Sequence, residues 1–90
     1  MKMLSLKQAE TQALNCRTAN GTVEMEFLTF KRDRGVKVAV TPTSYNMEEH
    51  GYRNESSEFA LHADFKRAVK DAFKREFPRS HQVYFNRVNK

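Results

Sequence analysis

The sequence predicts an α+β fold in which two helices pack on a three-stranded, mostly antiparallel sheet, in the order α-β-β-α-β. Two segments repeat apolar residues with a helical period, and three shorter segments alternate apolar and polar residues. Glycine or proline marks most of the boundaries between them. Ninety residues, 39% hydrophobic and 30% charged, suit one globular domain spanning residues 1–90, with no room for a second core.

The first helix is expected to begin after Ser5, because Gln8 three residues later completes a capping-box pattern. The apolar residues that follow recur on one helical face. Gly21 can adopt a left-handed conformation, so we expect the helix to end near residues 19–21.

A β-hairpin is expected over residues 22–41. Its first strand alternates apolar residues with Glu24 and Glu26, until the apolar parity changes at Leu28. This change indicates either a bulge or a strand that is covered on both faces. A turn over residues 31–35 leads to a valine-rich second strand, and Pro42 is expected to end that strand because proline has no N–H to donate.

Residues 43–57 are interpreted as a long, polar and locally acidic loop. Ser57 is expected to cap a second helix that extends to about residue 77, just before Pro78. A final short strand is expected over residues 82–88. The second helix is the strongest prediction, because its apolar residues form one continuous face: Leu61, Phe65, Ala68, Val69, Ala72 and Phe73.

The net charge of +5 is unevenly distributed along the chain. Residues 1–60 contain eight basic and eight acidic residues, whereas residues 61–90 contain eight basic and three acidic ones. The last third of the chain therefore accounts for the whole excess. This asymmetry favours an acidic partner, of which nucleic acid is the usual example.

The basic residues of the second helix are expected to form the core of a phosphate-binding surface. Three lysines recur every four residues, whereas the spacing of Arg67 and Arg75 predicts intrahelical pairs with Asp64 and Asp71. A second basic cluster lies in the hairpin. If the hairpin and the second helix lie on the same side of the molecule, the two clusters would form a groove suited to binding phosphates. The predicted contacts to a partner or to nucleic acid are Lys66, Lys70, Lys74, Arg67, Arg79, Arg87, Lys31, Arg32, Arg34 and Lys37.

Residue patterns typical of catalysis do not occur in the sequence. The three glycines are isolated, the histidines lie far apart, and one cysteine cannot build a zinc site. We therefore expect a protein that is not an enzyme and needs no metal or cofactor. Cys16 cannot form an intrachain disulfide, and no apolar run is long enough for a membrane span, so a cytoplasmic location without membrane contact is expected.

The charge split between the stripe at Lys66–Lys74 and the acidic segment at Glu48–Glu55, in a small α/β chain, resembles phage-encoded anti-CRISPR proteins. The resemblance implies an inhibitor that acts in the host cytoplasm. It would dock on an RNA-guided protein–RNA surveillance complex and block the binding of target DNA.

Two alternatives remain open. One is a free-standing DNA- or RNA-binding regulator, and the other is a protein–protein interaction module whose positive charge is incidental. Steep salt dependence of binding to plain nucleic acid would favour the first alternative. Partner binding that survives reversal of the lysine charges would favour the second.

Overall fold

The computed structural model describes residues 2–29, 31, 33–51, 54–78 and 81–89. Within these residues the chain forms six strands and two helices. In chain order they are β1 (Lys2–Ser5), α1 (Leu6–Leu14), β2 (Val23–Leu28), β3 (Gly35–Val40), β4 (Tyr45–His50), β5 (Glu55–Phe59), α2 (His62–Glu76) and β6 (Gln82–Asn89).

The six described strands form one antiparallel sheet in the order β1-β6-β2-β3-β4-β5. One face of the sheet is covered, with α1 against β1 and β6 and with α2 against β3, β4 and β5. The α+β class predicted from the sequence is confirmed, but the three-stranded sheet is wrong. The sequence interpretation missed β1, β4 and β5.

The segment interpreted as a loop over residues 43–57 contains β4 and part of β5. In β4 the residues on the covered face are Tyr45, Met47 and Glu49, and the alternate residues are all polar. A strand near the sheet edge with one open face needs few apolar residues, so its composition resembles that of a loop. Gly51 follows β4 with φ 126°, a conformation that side chains other than glycine rarely adopt.

The helix boundaries were predicted in part. Ser5 caps α1 and forms the expected capping box with Gln8. However, α1 ends at Leu14, earlier than expected, and α2 begins at His62 with no side-chain cap. Ser57, the predicted cap, lies in β5 instead, because the residues before the helix are extended and paired with β4.

Aromatic side chains fill the space between the sheet and the helices. Phe27 of β2 meets Phe73 of α2 edge-on, with ring centroids 5.2 Å apart, and Phe73 meets Phe77 in the same way. The pairing of β2 with β3 continues without interruption to Leu28, so β2 has no bulge there. Leu28 instead lies on the uncovered face, opposite Tyr84 of β6.

Candidate functional site

Helix α2 carries different chemistry on its two flanks. Its buried face, which includes Phe65, Val69 and Phe73, packs on the sheet. One flank carries residues that recur at every fourth position, namely His62, Lys66, Lys70 and Lys74. The opposite flank carries Asp64, Ala68, Asp71 and Arg75. The residues Lys66, Lys70 and Lys74 are called the lysine stripe below.

Arg17 extends the lysine stripe at its N-terminal end. This residue follows α1 and is exposed, and its Nη2 donates a hydrogen bond to Nδ1 of His62 over 2.9 Å. Because His62 lies one turn before Lys66 on the same flank, the contact adds a fourth cation to the stripe. Sequence reasoning missed Arg17, since the residues around it are balanced in charge and no local pattern places it beside α2.

His62 is held in its neutral form by its two ring contacts. An arginine can only donate hydrogen bonds, so Nδ1 of His62 must accept, and Nε2 therefore donates to the carbonyl of Leu14 over 2.9 Å. Burial lowers the pKa of His62, and the positive charges of Arg17 and Lys66 lower it further. This histidine thus joins α1 to α2 and positions Arg17 without adding charge.

On the other flank, Arg75 binds a carboxylate from the sheet rather than one from its own helix. Its Nε and Nη2 donate to the two carboxylate oxygens of Glu49 in β4, over 3.0 and 2.7 Å. The pairing of Arg75 with Asp71 predicted from helical spacing was therefore wrong. Within the described residues, Arg67 forms no ion pair with Asp64 or Asp71 and is exposed.

The other predicted contact residues are dispersed. Arg34 lies near the C-terminal end of α2, since both Arg34 and Glu76 lie against Gly51. A Cβ atom at Gly51 would be 2.6 Å from Cγ of Arg34 and 2.7 Å from Oε1 of Glu76. Lys31 is exposed in the turn after β2. The residues Arg32 and Arg79 lie outside the described residues.

Lys37 lies on the opposite side of the sheet from the lysine stripe, whereas Arg87 lies beside Arg17. Lys37 is in register with Glu26 of β2 and Glu48 of β4, on the sheet face that no helix covers. The condition for one groove formed by both basic clusters, that they lie on the same side, is therefore not met for Lys37. Arg87, paired in register with Met25, lines a cleft of about 130 Å³ beside α1 together with Arg17 and Cys16.

Cys16 lies just after the C-terminal end of α1. Its side chain is buried, and burial raises the pKa of the thiol despite the opposing effect of Arg87.

The uncovered face of the sheet, called the open face below, is acidic. Strands β2, β4 and β5 each contribute glutamates to it, and Lys37 lies between them. A groove of about 460 Å³ on this face is lined by residues that include Glu24, Glu48 and Glu58. The described part of the molecule therefore presents a basic helix surface on one side and an acidic sheet surface on the other.

Comparison with protein-family models, with curated proteins and with solved structures finds no match to this chain. In the described part of the chain, no group of three or more histidine, cysteine, aspartate or glutamate side chains is placed to hold a metal ion. Neither described helix is long and apolar enough to cross a membrane. The two charged surfaces are therefore the features of the described residues that bear most directly on function.

Proposed function

We propose that this protein is a non-enzymatic binding protein whose basic helix surface docks on the phosphate backbone of a nucleic acid within a nucleoprotein complex. The basic helix surface comprises Arg17 and the lysine stripe. The observation that carries the proposal is the row of cations along one flank of α2, which Arg17 and His62 extend.

The spacing of these cations suits a phosphate backbone. Residues four apart on a helix are separated by about 6 Å along the axis, and the row from His62 to Lys74 spans about 18 Å. Phosphates in duplex DNA recur every ~3.4 Å along the axis on each strand, so several lie within reach of such a row. Lysine and arginine contacts to phosphates supply affinity and position without reading the base sequence.

The opposite charges of the two faces favour a mixed protein–nucleic-acid target over free nucleic acid. A duplex repels the acidic open face, so one molecule is expected to approach it in one orientation only. A nucleoprotein complex offers phosphates together with the basic protein surfaces that hold them. A small protein with two oppositely charged faces can contact both the phosphates and these basic protein surfaces.

The resemblance to anti-CRISPR proteins supplies the most specific form of the proposal, in which the complex is an RNA-guided surveillance complex and docking blocks target DNA. This form is tested by adding the purified protein to such a complex and measuring DNA binding. Unchanged DNA binding across a panel of RNA-guided complexes would refute this specific form. It would not affect the general proposal of docking on a nucleoprotein complex.

The general proposal is tested with the double variant Lys70→Glu/Lys74→Glu, which reverses two exposed cations of the stripe. Binding to a fluorescent RNA or DNA duplex at low salt is expected to weaken at least about tenfold, because two phosphate contacts become repulsive. The matched control is Lys2→Glu/Lys7→Glu, which makes the same change in net charge at exposed positions of β1 and α1. Equal loss in both variants would indicate a general charge effect and contradict the proposal.

A further inference from the structure

The described sheet ends at β5, whose outer side has no neighbouring strand. Such an edge presents unpaired backbone N–H and C=O groups, which can hydrogen-bond an added strand. Its five residues extend over about 17 Å, enough to pair with a short extended peptide. Three of them, Glu55, Ser56 and Glu58, are exposed.

A groove runs beside this edge, between β5 and the flank of α2 opposite the lysine stripe. Its volume is about 340 Å³, and its lining includes Phe59 of β5 and Ala68 of α2, with Asp64, Arg67 and Asp71 from the helix. We call it the edge groove. An edge strand with an adjacent helix-lined groove is a common arrangement for recognition of extended peptides.

The connection between the two elements that border the edge groove carries an exposed apolar side chain. Leu61, in the connection between β5 and α2, is 64% exposed, more than any other large hydrophobic side chain among the described residues. Helical spacing places Leu61 on the same flank as Asp64 and Ala68. Burial of this side chain against a partner would be favourable, since each buried CH₂ group is worth about 0.8 kcal/mol.

We propose that the edge of β5 and the edge groove bind an extended, lysine- or arginine-rich segment of a partner protein that adds to the sheet as a further strand. Side chains of an added strand alternate between the two sheet faces. Those on the helix side would enter the groove, with apolar groups against Phe59 and Ala68 and basic groups beside Asp64 and Asp71. Side chains of the added strand that point away from the helices would lie beside Glu58 on the open face.

Charge also argues against a second copy of this chain as the occupant. Antiparallel pairing of two β5 strands would bring the Glu58 side chains of both copies near each other on the open face, and like charges close across a strand pair are destabilising. The two carboxylates of the groove lining, Asp64 and Asp71, outnumber its one cation, Arg67, so the groove favours a basic strand. The inference is independent of nucleic-acid binding, because the lysine stripe lies on the other flank of α2.

The test uses a seven-residue peptide of alternating lysine and valine, with a glutamate–valine peptide of equal length as its counterpart. Addition of the basic peptide to the ¹⁵N-labelled protein is expected to shift the backbone amide signals of β5 and of the adjoining flank of α2. The acidic peptide is expected to cause no such shifts. Fluorescence polarisation with a labelled basic peptide supplies the affinity.

The variant Asp64→Lys/Asp71→Lys is expected to weaken binding of the basic peptide at least about tenfold, through loss of attraction and gain of repulsion. The matched control Glu10→Lys/Glu48→Lys, with the same charge change outside the edge groove, is expected to retain binding. Because Asp64 lies in the first turn of α2, the single variant Asp71→Lys, with its folding checked by circular dichroism, provides a second measurement.

Three results would overturn the inference: no amide shifts in β5 at millimolar peptide, equal loss of affinity in the control, or concentration-dependent pairing of β5 with a second copy. The variant Lys70→Glu/Lys74→Glu is expected to bind the peptide normally. Peptide binding without nucleic-acid binding would therefore refute only the proposed function, and the reverse result would refute only this inference.

Discussion

His62 shows how one side chain sets the position of a charge on the molecular surface. Its ring lies against Tyr45, with centroids 5.1 Å apart, and its two nitrogens contact Arg17 and the carbonyl of Leu14. A proton added to Nδ1 would point at the guanidinium of Arg17 and break that hydrogen bond. The neutral ring is thus a condition for holding Arg17 next to the lysine stripe.

The depressed pKa of His62 predicts that stability falls in mild acid. The folded protein binds the proton less readily than the unfolded chain, whose histidine pKa is about 6.5. The contribution is therefore complete above this pH and is lost as the pH falls through the folded-state value. Urea unfolding at pH 7.5 and pH 5.5 is expected to show a lower midpoint in acid.

The variant His62→Gln provides the control for this effect, because a glutamine can still accept from Arg17 and donate to the carbonyl of Leu14. It is expected to reduce the difference between the two midpoints. An unchanged difference would show that other groups cause the pH dependence.

At the scale of elements, an ion pair between Glu49 and Arg75 links β4 to α2. Glu49 is 1% exposed and projects from β4 toward the helix, whereas the side chain of Arg75 is 30% exposed. The two parallel hydrogen bonds fix the orientation of the guanidinium, and the carboxylate raises the pKa of Arg75. The ion pair therefore helps to hold the sheet and α2, which form the two sides of the edge groove, in place.

Removal of the arginine is expected to destabilise the protein considerably. The variant Arg75→Ala leaves Glu49 buried without its bidentate partner, and the free energy of unfolding is expected to fall by about 2–3 kcal/mol. Arg67→Ala on the same helix is the matched control and is expected to change stability by less than about 0.5 kcal/mol. Equal effects of the two substitutions in urea unfolding would contradict a special role for the ion pair.

For the whole molecule, the separation of charge between its two sides matters more than the net charge of +5. The open face gathers glutamates from three strands, and the helix surface gathers cations from α2 and from the segment after α1. The number of cations that meet a nucleic acid is thus smaller than the sixteen basic residues of the chain suggest. It can be counted from the salt dependence of binding.

Four cations, Arg17 and the lysine stripe, predict a slope of about −3 to −4 for log affinity against log salt on duplex DNA. The variant Arg17→Gln keeps a hydrogen-bond donor for His62 but removes the charge, and it is expected to make the slope less steep by about one. Lys2→Gln, at an exposed position of β1, is the control and is expected to leave the slope unchanged. A slope near zero for the unaltered protein would exclude phosphate contacts by this surface.

Local signals in the sequence determined the capping box of Ser5 and Gln8, the C-terminal end of α2, the valine-rich β3 and the final strand β6. They also determined the apolar face of α2 from Phe65 to Phe73, but not the exposure of Leu61, which lies before the helix. In each case neighbouring residues carry the information, through helical or alternating periodicity or through a cap. The alignment of the lysine stripe was predictable for the same reason. It requires only the spacing of residues along one helix.

Only the tertiary structure determined the edge strands, the partner of Arg75, the position of Arg17 and the placement of Lys37 on the acidic face. Each of these depends on residues distant in sequence that the sheet register and helix packing bring together. Strands β4 and β5 have an open face and few apolar residues, so their pairing leaves little local trace. The fold class and the lysine stripe thus follow from local periodicity, whereas the opposite charges of the two faces follow from long-range packing.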